Sequence, residues 1–536
     1  MDASRFDVQR LDHLGLVAGF CNAAGLEEEV DKKLPKLSHK SNISNGKLLI
    51  AMILNGLGFV SLTLHMYPEY FSEKPTERLL GPGILPSHIN DDVMGRLLDA
   101  LYEEGVSSLY QGLAKRVVKH LGLECQSLNL DTTSFHLDGE YEQDIDAESI
   151  KITRGYSRDH RPDLNQVVLS LITENQAGIP LYMQACSGNA NDTETFKKTV
   201  KSHLKSLKDA YNNTYLIADA ALYTEENVQA LSEQKQLFIT RVPQKLNEAK
   251  KVIGLAEETT WTALTNGYSG AWFDSAYGNV QQRWLLIKST QANTREKHIL
   301  DRSIRKKTEA AVKDFNKLCR QKFDCEADAT AALARWQEKQ PFSRVADALI
   351  KRMDKRAKRG RPGASDNVTS TFQITGAIMT ALDLRNEAQK TKGLFILGTN
   401  DLSEALDMQF LLDEYKSQQA VERGFRFLKS PDFLTSSLFL KKPERIEALL
   451  MIMTCSLMIY AGIEHLIRRR LAETNAFFPD MKKKPTQRPT AKWVFFCFQG
   501  VSVVLIDNKT QIVTNILDRQ KVILNCHGKA YWEFYS

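Results

Sequence analysis

Between Ser127 and Arg241 the chain reads strand, strand, strand, helix, strand, helix, strand. Ser127–Leu137 (SLNLDTTSFHL) alternates apolar and polar residues as a half-buried strand does, and Gln166–Thr173 (QVVLSLIT) and Ile179–Ala185 are predicted strands with a turn at Asn175–Gly178 between them. Asp192 is placed to cap a helix over Thr193–Leu207. Tyr215–Ala218 (YLIA) is a fourth strand running straight into Asp219, Thr224 opens a second helix, and Gln236–Arg241 (QLFITR) is a fifth strand. One acidic residue, Asp131, therefore sits inside the first strand and another, Asp219, at the end of the fourth. Acidic residues at strand ends are commonly turn or cap formers, so either one alone carries little.

In a mixed sheet of the ribonuclease H type, strands one and four lie side by side, and Asp131 and Asp219 would project together. A third carboxylate would have to come from a helix packed on that sheet. The stretch Tyr415–Lys429 (YKSQQAVERGFRFLK) reads as part of one amphipathic helix, with Tyr415, Glu422 and Lys429 spaced by seven and hence on one stripe. Gln418 lies one turn before Glu422, and Ala420, Val421, Phe425 and Leu428 supply apolar anchors on flanking stripes. Taken alone this is an ordinary solvated helix face; if Asp131 and Asp219 arrive at the same place, Glu422 is the candidate third carboxylate of a metal site. Three clustered carboxylates repel one another unless a divalent cation neutralises them, and hard oxygen donors suit Mg²⁺ or Mn²⁺ rather than zinc. Two such ions can activate a water or a 3′-hydroxyl on one side of a phosphodiester and stabilise the leaving oxygen on the other.

The rest of the chain frames this core. At 536 residues it is too long for one ordinary core, and its 43% hydrophobic and 25% charged residues are those of a folded chain. The fold class expected is α/β multidomain. A helical N-terminal domain, expected to bind DNA, spans 1–122; the first part of the catalytic core spans 123–245; an insertion, β-rich with a helical arm, spans 246–400; the core helix carrying Glu422 lies in 401–436; a mostly helical region for DNA contacts or dimerisation spans 437–536. Net charge is only +6, so basic residues matter where they cluster, as in Lys351–Arg361 (KRMDKRAKRGR), which reads as a solvated segment. The eight cysteines form no CxxC pair and no zinc-finger spacing, as expected of reduced thiols in a cytoplasmic protein. Leu48–Met66 and Ala448–Ile463 are apolar, but the first is interrupted by Asn55, Gly56 and Gly58 and the second is shorter than the roughly 20 residues a bilayer needs, so both read as buried helices rather than membrane spans.

The sequence resembles the DDE transposases of bacterial insertion sequences, in the group marked by a Tyr-x2-Arg-x3-Glu-x6-Lys signature and a β-rich insertion. The resemblance is carried by LDTTSF around Asp131, GYSRDHRPDLNQ at 155–166, GNANDTET at 188–195, IADAALYT at 217–224 and the 415–429 stretch. It implies a ribonuclease H-like catalytic core. It also implies that Asp131, Asp219 and Glu422 are the catalytic, metal-binding triad with two Mg²⁺ or Mn²⁺ ions, and that Tyr415 and Lys429 lie near the terminal phosphate. Gln418 stands where the signature has Arg; an amide can hydrogen-bond a phosphate but adds no charge. Arg154, Arg158 and Arg161, crowded with His160 around one loop, and Arg241 are the expected phosphate contacts, His160 being equally a plain loop hydrogen-bonder. Members with a β-rich insertion often cut DNA through a hairpin and stack a flipped base on an aromatic residue from it; Trp272 and Trp284 are the candidates, with core packing the alternative for each.

The function implied is metal-dependent strand cleavage and strand transfer at terminal inverted repeats, by a homodimer on double-stranded DNA. A ribonuclease H-like nuclease without transposition, or a DNA-binding protein that no longer catalyses, are the alternatives.

Overall fold

The structure is a computed structural model that describes residues 6–34, 42–59, 64–137, 141, 149–156, 161–356, 368–430, 440–506 and 510–536. The chain divides into two compact units: residues 1–241, 276–282 and 399–536 form the first, and 242–275 with 283–398 the second. The helical N-terminal segment, the sheet carrying Asp131 and the C-terminal helices thus share one unit.

In the first unit, β1 (Phe6–Arg10) precedes the helices Leu14–Ala23, Asn45–Leu57, Asp91–Glu104 and Val106–Leu121. Ser44 caps its helix as the sequence suggests, accepting a 3.2 Å bond from the Lys47 amide. The expectation of an all-helical N-terminus is corrected by β1, a short five-residue strand with too few apolar positions to show a period of two. It is recruited by a distant strand, β15 (Ser502–Ile506), which also pairs with β16 (Thr510–Thr514).

The five strands expected between 127 and 241 are all present: β2 (Ser127–Leu137), β3 (Asn165–Glu174), β4 (Pro180–Ser187), β5 (Tyr215–Ala218) and β6 (Leu237–Arg241). Their spatial order is β4-β3-β2-β5-β6. The pairs β2/β3 and β3/β4 are antiparallel, whereas β2/β5 and β5/β6 are parallel, so the first and fourth strands are neighbours as expected. The turn after β3 is held by Glu174, whose buried carboxylate accepts from the amides of Gln176, Ala177 and Ile179.

The N-terminal helices pack on this sheet through Val106–Leu121, where Tyr110 donates to the Pro180 carbonyl at 2.7 Å and Ser107 to that of Met183 at 2.8 Å. The 31-residue helix Pro443–Glu473 runs through the middle of the unit, touching the Leu14–Ala23, Asn45–Leu57, Asp91–Glu104 and Val106–Leu121 helices and β4. By length and composition this helix could cross a bilayer, but 83% of its most apolar window is buried inside the protein. A Cβ at Gly462 would stand 2.5 Å from Phe20 Cζ, so only glycine admits that crossing. At its start, Arg445 grips both oxygens of Asp99 at 2.7 Å.

The second unit contains β7 (Thr262–Ala263), β8 (Tyr268–Tyr277), β9 (Val280–Ser289) and β12 (Leu394–Thr399), with spatial order β12-β9-β8-β7. The turn of the β8–β9 hairpin, 276–282, belongs with the first unit, where Tyr277 stacks on Tyr223 at 4.8 Å between ring centroids. The helical arm is two helices, Thr290–Arg320 and Glu326–Glu338, closed by a hairpin of β10 (Ser343–Arg356) and β11 (Val368–Thr380). Ala311, Phe315, Leu318, Ala329, Trp336 and Ile374 form its own small core. The basic run expected to be solvated segment is in part strand: Lys351 to Arg356 pair with Gln373 to Val368, and 357–361 lie outside the described residues. Alternating charges hid the strand, because its two-stranded ribbon exposes both faces and needs no apolar period. The two-residue strands β13 (Phe478–Pro479) and β14 (Pro485–Thr486) fold the basic turn at 481–484 into a hairpin in the first unit.

Candidate active site

The register of the parallel β2/β5 pair places Leu130 opposite Ala218. Asp131 and Asp219 are the next residues of the two strands, so the chain directions alone bring them to neighbouring positions at one end of the sheet. Both are half-buried. Asp131 Oδ1 accepts from the Thr132 amide at 2.7 Å, and Asp219 Oδ1 from the Ala221 amide at 2.9 Å. The Asp219 backbone is tied from the next strand, where Thr240 Oγ1 donates to its carbonyl at 2.8 Å.

The 415–429 stretch is not one helix, as its periodicity suggests, but two: Met408–Ser417 and Gln419–Leu428, joined at Gln418. The joint is a tight turn, with the Val421 amide reaching the Gln418 carbonyl at 3.0 Å. Ser417 supplies the reason: its hydroxyl bonds back to the Glu414 carbonyl at 2.6 Å, competing with the helical ladder. The same hydroxyl reaches Asn129 Oδ1 on β2 at 3.2 Å, and Glu414 takes the Asn175 amide at 3.0 and 3.2 Å. These bonds seat the Met408–Ser417 helix on β2, which carries Asp131, and on the turn after β3. Farther along, Lys429 Nζ lies 5.9 Å from the centre of the Phe135 ring, again on β2.

Tyr415 reports on the outcome. Burial, above all, pushes its phenol upward; the charge of Arg241 opposes this, and the carboxylates of Asp219, Glu422 and Asp131 add to it. One side chain thus feels all three expected acids and one expected arginine, and the phenol stays protonated, a hydrogen-bond donor, at neutral pH. Glu422 itself is solvent-exposed on the Gln419–Leu428 helix, and Gln418 is half-buried at the joint. Among the described residues no three His, Cys, Asp or Glu side chains are close enough together to enclose a metal ion as they stand. The donor chemistry at this sheet end is all carboxylate, which fits a hard divalent cation.

The expected phosphate contacts divide. Arg154 is exposed beside the site loop, and Arg241 is exposed at the end of β6. Arg161 is engaged by Asp163 of its own loop, at 2.8 Å, and that partner holds the Asp163 carboxyl near 2. Arg158 and His160 lie outside the described residues. Trp272 is half-buried with the Arg283 guanidinium 4.2 Å above its ring. Trp284 is corrected: at 1% exposure it is core, and its indole offers no face to a base.

Sequence reasoning passed over Tyr156, 87% exposed in the loop between Arg154 and Arg161, and over Asn129, Asn175, Glu414 and Ser417. Polar residues inside strands next to the acids were the available signal for Asn129. The loop's base is built from two motif pieces, because Gln166 Nε2 donates to the carbonyls of Gly188 at 2.7 Å and Tyr156 at 3.2 Å.

A family model described as "Transposase DDE domain" matches residues 137–459, more than half of the chain. The chain belongs to the DDE transposases. The match to this transposase family begins just beyond Asp131, while residues 6–115 match a model described as "Domain of unknown function (DUF4277)". No curated protein matches the transposase. Among solved structures it is similar to "Cryo-EM structure of piggyBac transposase synaptic complex with hairpin DNA (SNHP)", at 9% identity and a TM-score of 0.38, covering 92% of this chain and 82% of that one.

Proposed function

We propose that this DDE transposase is that of a bacterial insertion sequence, acting in the cytoplasm on the terminal inverted repeats of its own element through a ribonuclease H-like core. What supports the reading is that β2 and β5 bring Asp131 and Asp219 to neighbouring positions and that the Tyr415 phenol feels the charges of Arg241, Asp219, Glu422 and Asp131. Asp131, Asp219 and Glu422 would hold the divalent cations, Mg²⁺ or Mn²⁺, two per site. Bound there, the ions would lower the pKa of an attacking water or 3′-hydroxyl and offset charge on the leaving oxygen.

The chain's own side chains do the rest. Tyr415, protonated, donates a hydrogen bond to a phosphate oxygen, and Gln418 offers an amide at the joint where charge is absent. Arg241, Lys429 and Arg154 supply the cations that hold a phosphodiester against three carboxylates. Without them, a polyanion would be repelled from this end of the sheet. Hydrolysis frees the 3′ end, which then attacks the second strand or the target, with hairpin ends as one route. Such reactions pair two DNA ends, so a homodimer on DNA is expected.

The test is incubation of the protein with end-containing duplex and Mg²⁺, resolving nicked, hairpin and joined products. Asp131→Ala, Asp219→Ala and Glu422→Ala should each abolish cleavage, a loss of at least about 1,000-fold given what the ions supply, with end-binding retained. Full nicking by any of the three purified variants refutes the assignment. Cutting by the unaltered protein without joining of a pre-cleaved end would make it a nuclease.

A further inference from the structure

The helix Thr290–Arg320 buries Ile304, Ala311, Phe315 and Leu318. At about 100° per residue these four fall within roughly 60° of one another, a narrow inward stripe. Arg295, Arg302, Lys306, Lys313 and Arg320 fall on the opposite side, within roughly 20° of a common line, and Arg305 flanks them. All six are solvent-exposed, and none has an ion pair among the described residues. The only acid on that outward arc is Glu309. Surface helices usually intersperse both signs, because like charges at i,i+3, i+4 and i+7 repel. Here the repulsion is left standing.

The first half of the stripe also lines a groove. Arg295, His298, Asp301, Arg302 and Arg305 line one wall of an open cleft of about 620 Å³. Among the described residues its one carboxylate, Asp301, is already paired, taking Arg385 Nη2 at 2.9 Å, so this wall is positive. The long helix itself is anchored at its far half by the small core around Phe315 and Trp336, whose rings are 5.1 Å apart. The stripe is therefore a fixed array rather than a floppy tail.

We infer that the outward stripe of the Thr290–Arg320 helix is a second DNA-binding surface, which tracks the phosphates of duplex DNA without reading bases. From Arg295 to Arg320 the stripe is about 38 Å long at 1.5 Å per residue, close to one turn of B-DNA, so it can meet several successive phosphates. Guanidinium groups bind phosphate oxygens through a planar fork, and a helix face this rich in cations, with Ile299 as the one exposed large apolar side chain close to its line, has affinity for a polyanion and little for a protein core. The inference rests on the reading of the chain as a transposase only in choosing DNA as the polyanion.

The test is metal-free binding of a fluorescein-labelled 40-base-pair duplex of arbitrary sequence, measured from low to moderate salt. Each phosphate contact contributes about −0.9 to the slope of log affinity against log salt. Arg295→Gln/Arg302→Gln/Arg305→Gln should make the slope shallower by about 2 to 3 and weaken binding at low salt at least tenfold. Arg→Lys at the same three positions should keep the slope, and Glu309→Gln should strengthen binding. Far-UV circular dichroism checks that each variant is folded; should the triple variant unfold, the single variant Arg302→Gln, with an expected change near 1, takes its place. An unchanged slope in a folded variant overturns the inference. So does an equal loss of heparin binding with duplex binding untouched. Failure of the proposed cleavage chemistry would leave this comparison intact, because no metal and no cutting enter it.

Discussion

Gly424 lies two residues beyond Glu422, and a Cβ built on it would stand 3.1 Å from Leu457 Cδ2 and 3.6 Å from Cδ1. Leu457 is 4% exposed on the Pro443–Glu473 helix, so this contact, with Phe427 stacked on Tyr460 at 4.3 Å, is where the helix carrying Glu422 rests on the buried one. Gly424→Ala gains about 0.8–1 kcal/mol of helix propensity and asks a leucine tip to give by a few tenths of an ångström, so stability should change by less than about 1 kcal/mol. Gly424→Val is different. Two γ-carbons must enter an occupied space, at a cost of about 1–3 kcal/mol, and the cheapest relief is for the short helix to lift. A displacement near 1 Å of a catalytic group can cost about 100-fold in rate. The valine variant should therefore lose about 10- to 100-fold in single-turnover cleavage of end-containing DNA with Mg²⁺, together with faster amide exchange across 419–428. Leu457→Ala alone should destabilise by about 2–5 kcal/mol through its cavity. The double variant, in which valine fills that cavity, should recover much of both losses. A valine variant with full activity and unchanged exchange would refute the reasoning, as would a double variant no better than either single one.

Two further outcomes follow from particular side chains. Burial, partly opposed by the Leu57 carbonyl and Asp12, holds His13 at about 4, against an ordinary histidine value of 6.5. The unfolded chain therefore takes up a proton first: stability is full above the unfolded value and falls as pH drops from 6.5 toward 4, by about 3 kcal/mol per such group. His527, also at about 4, acts in the same sense, as do His120, His203 and His465, so His13→Phe should flatten the melting-temperature slope between pH 7 and 4 without removing it. A Cβ at Gly188 would lie 2.0 Å from the Gln166 carbonyl oxygen and 2.3 Å from that of Thr153, both backbone atoms that cannot step aside. Gly188→Ala should displace the loop that carries Arg154 and weaken DNA binding by at least about tenfold, one lost charge-assisted contact, as gel shift would show.

Much of the site could be read from the chain because the information was local. Strands β2 and β5 carry the right period, and each acid sits next to its strand's apolar run. Trp284 was ambiguous for the opposite reason: an aromatic in QQRWLLIK has the same spelling whether it faces a core or a ligand, and only its burial decides. The joint at Gln418 was hidden because Tyr415, Glu422 and Lys429 keep helical spacing through a break made by one serine hydroxyl. Strand β1 was hidden because its partner lies nearly five hundred residues away, and pairing, not composition, makes it a strand.

By itself, the order of amino acids determined which segments alternate with a period of two, which repeat near 3.6, and where the acids stand within them. Those are nearest-neighbour properties, set by side-chain geometry along a single element. Tertiary structure alone decided that β2 and β5 run side by side, that Ser417 reaches Asn129 of β2 while Glu414 takes Asn175 in the turn after β3, and that the Tyr415 phenol feels the charge of all three carboxylates. Each of these joins residues far apart along the chain, and such contacts exist only once burial of the shared core has brought their elements together.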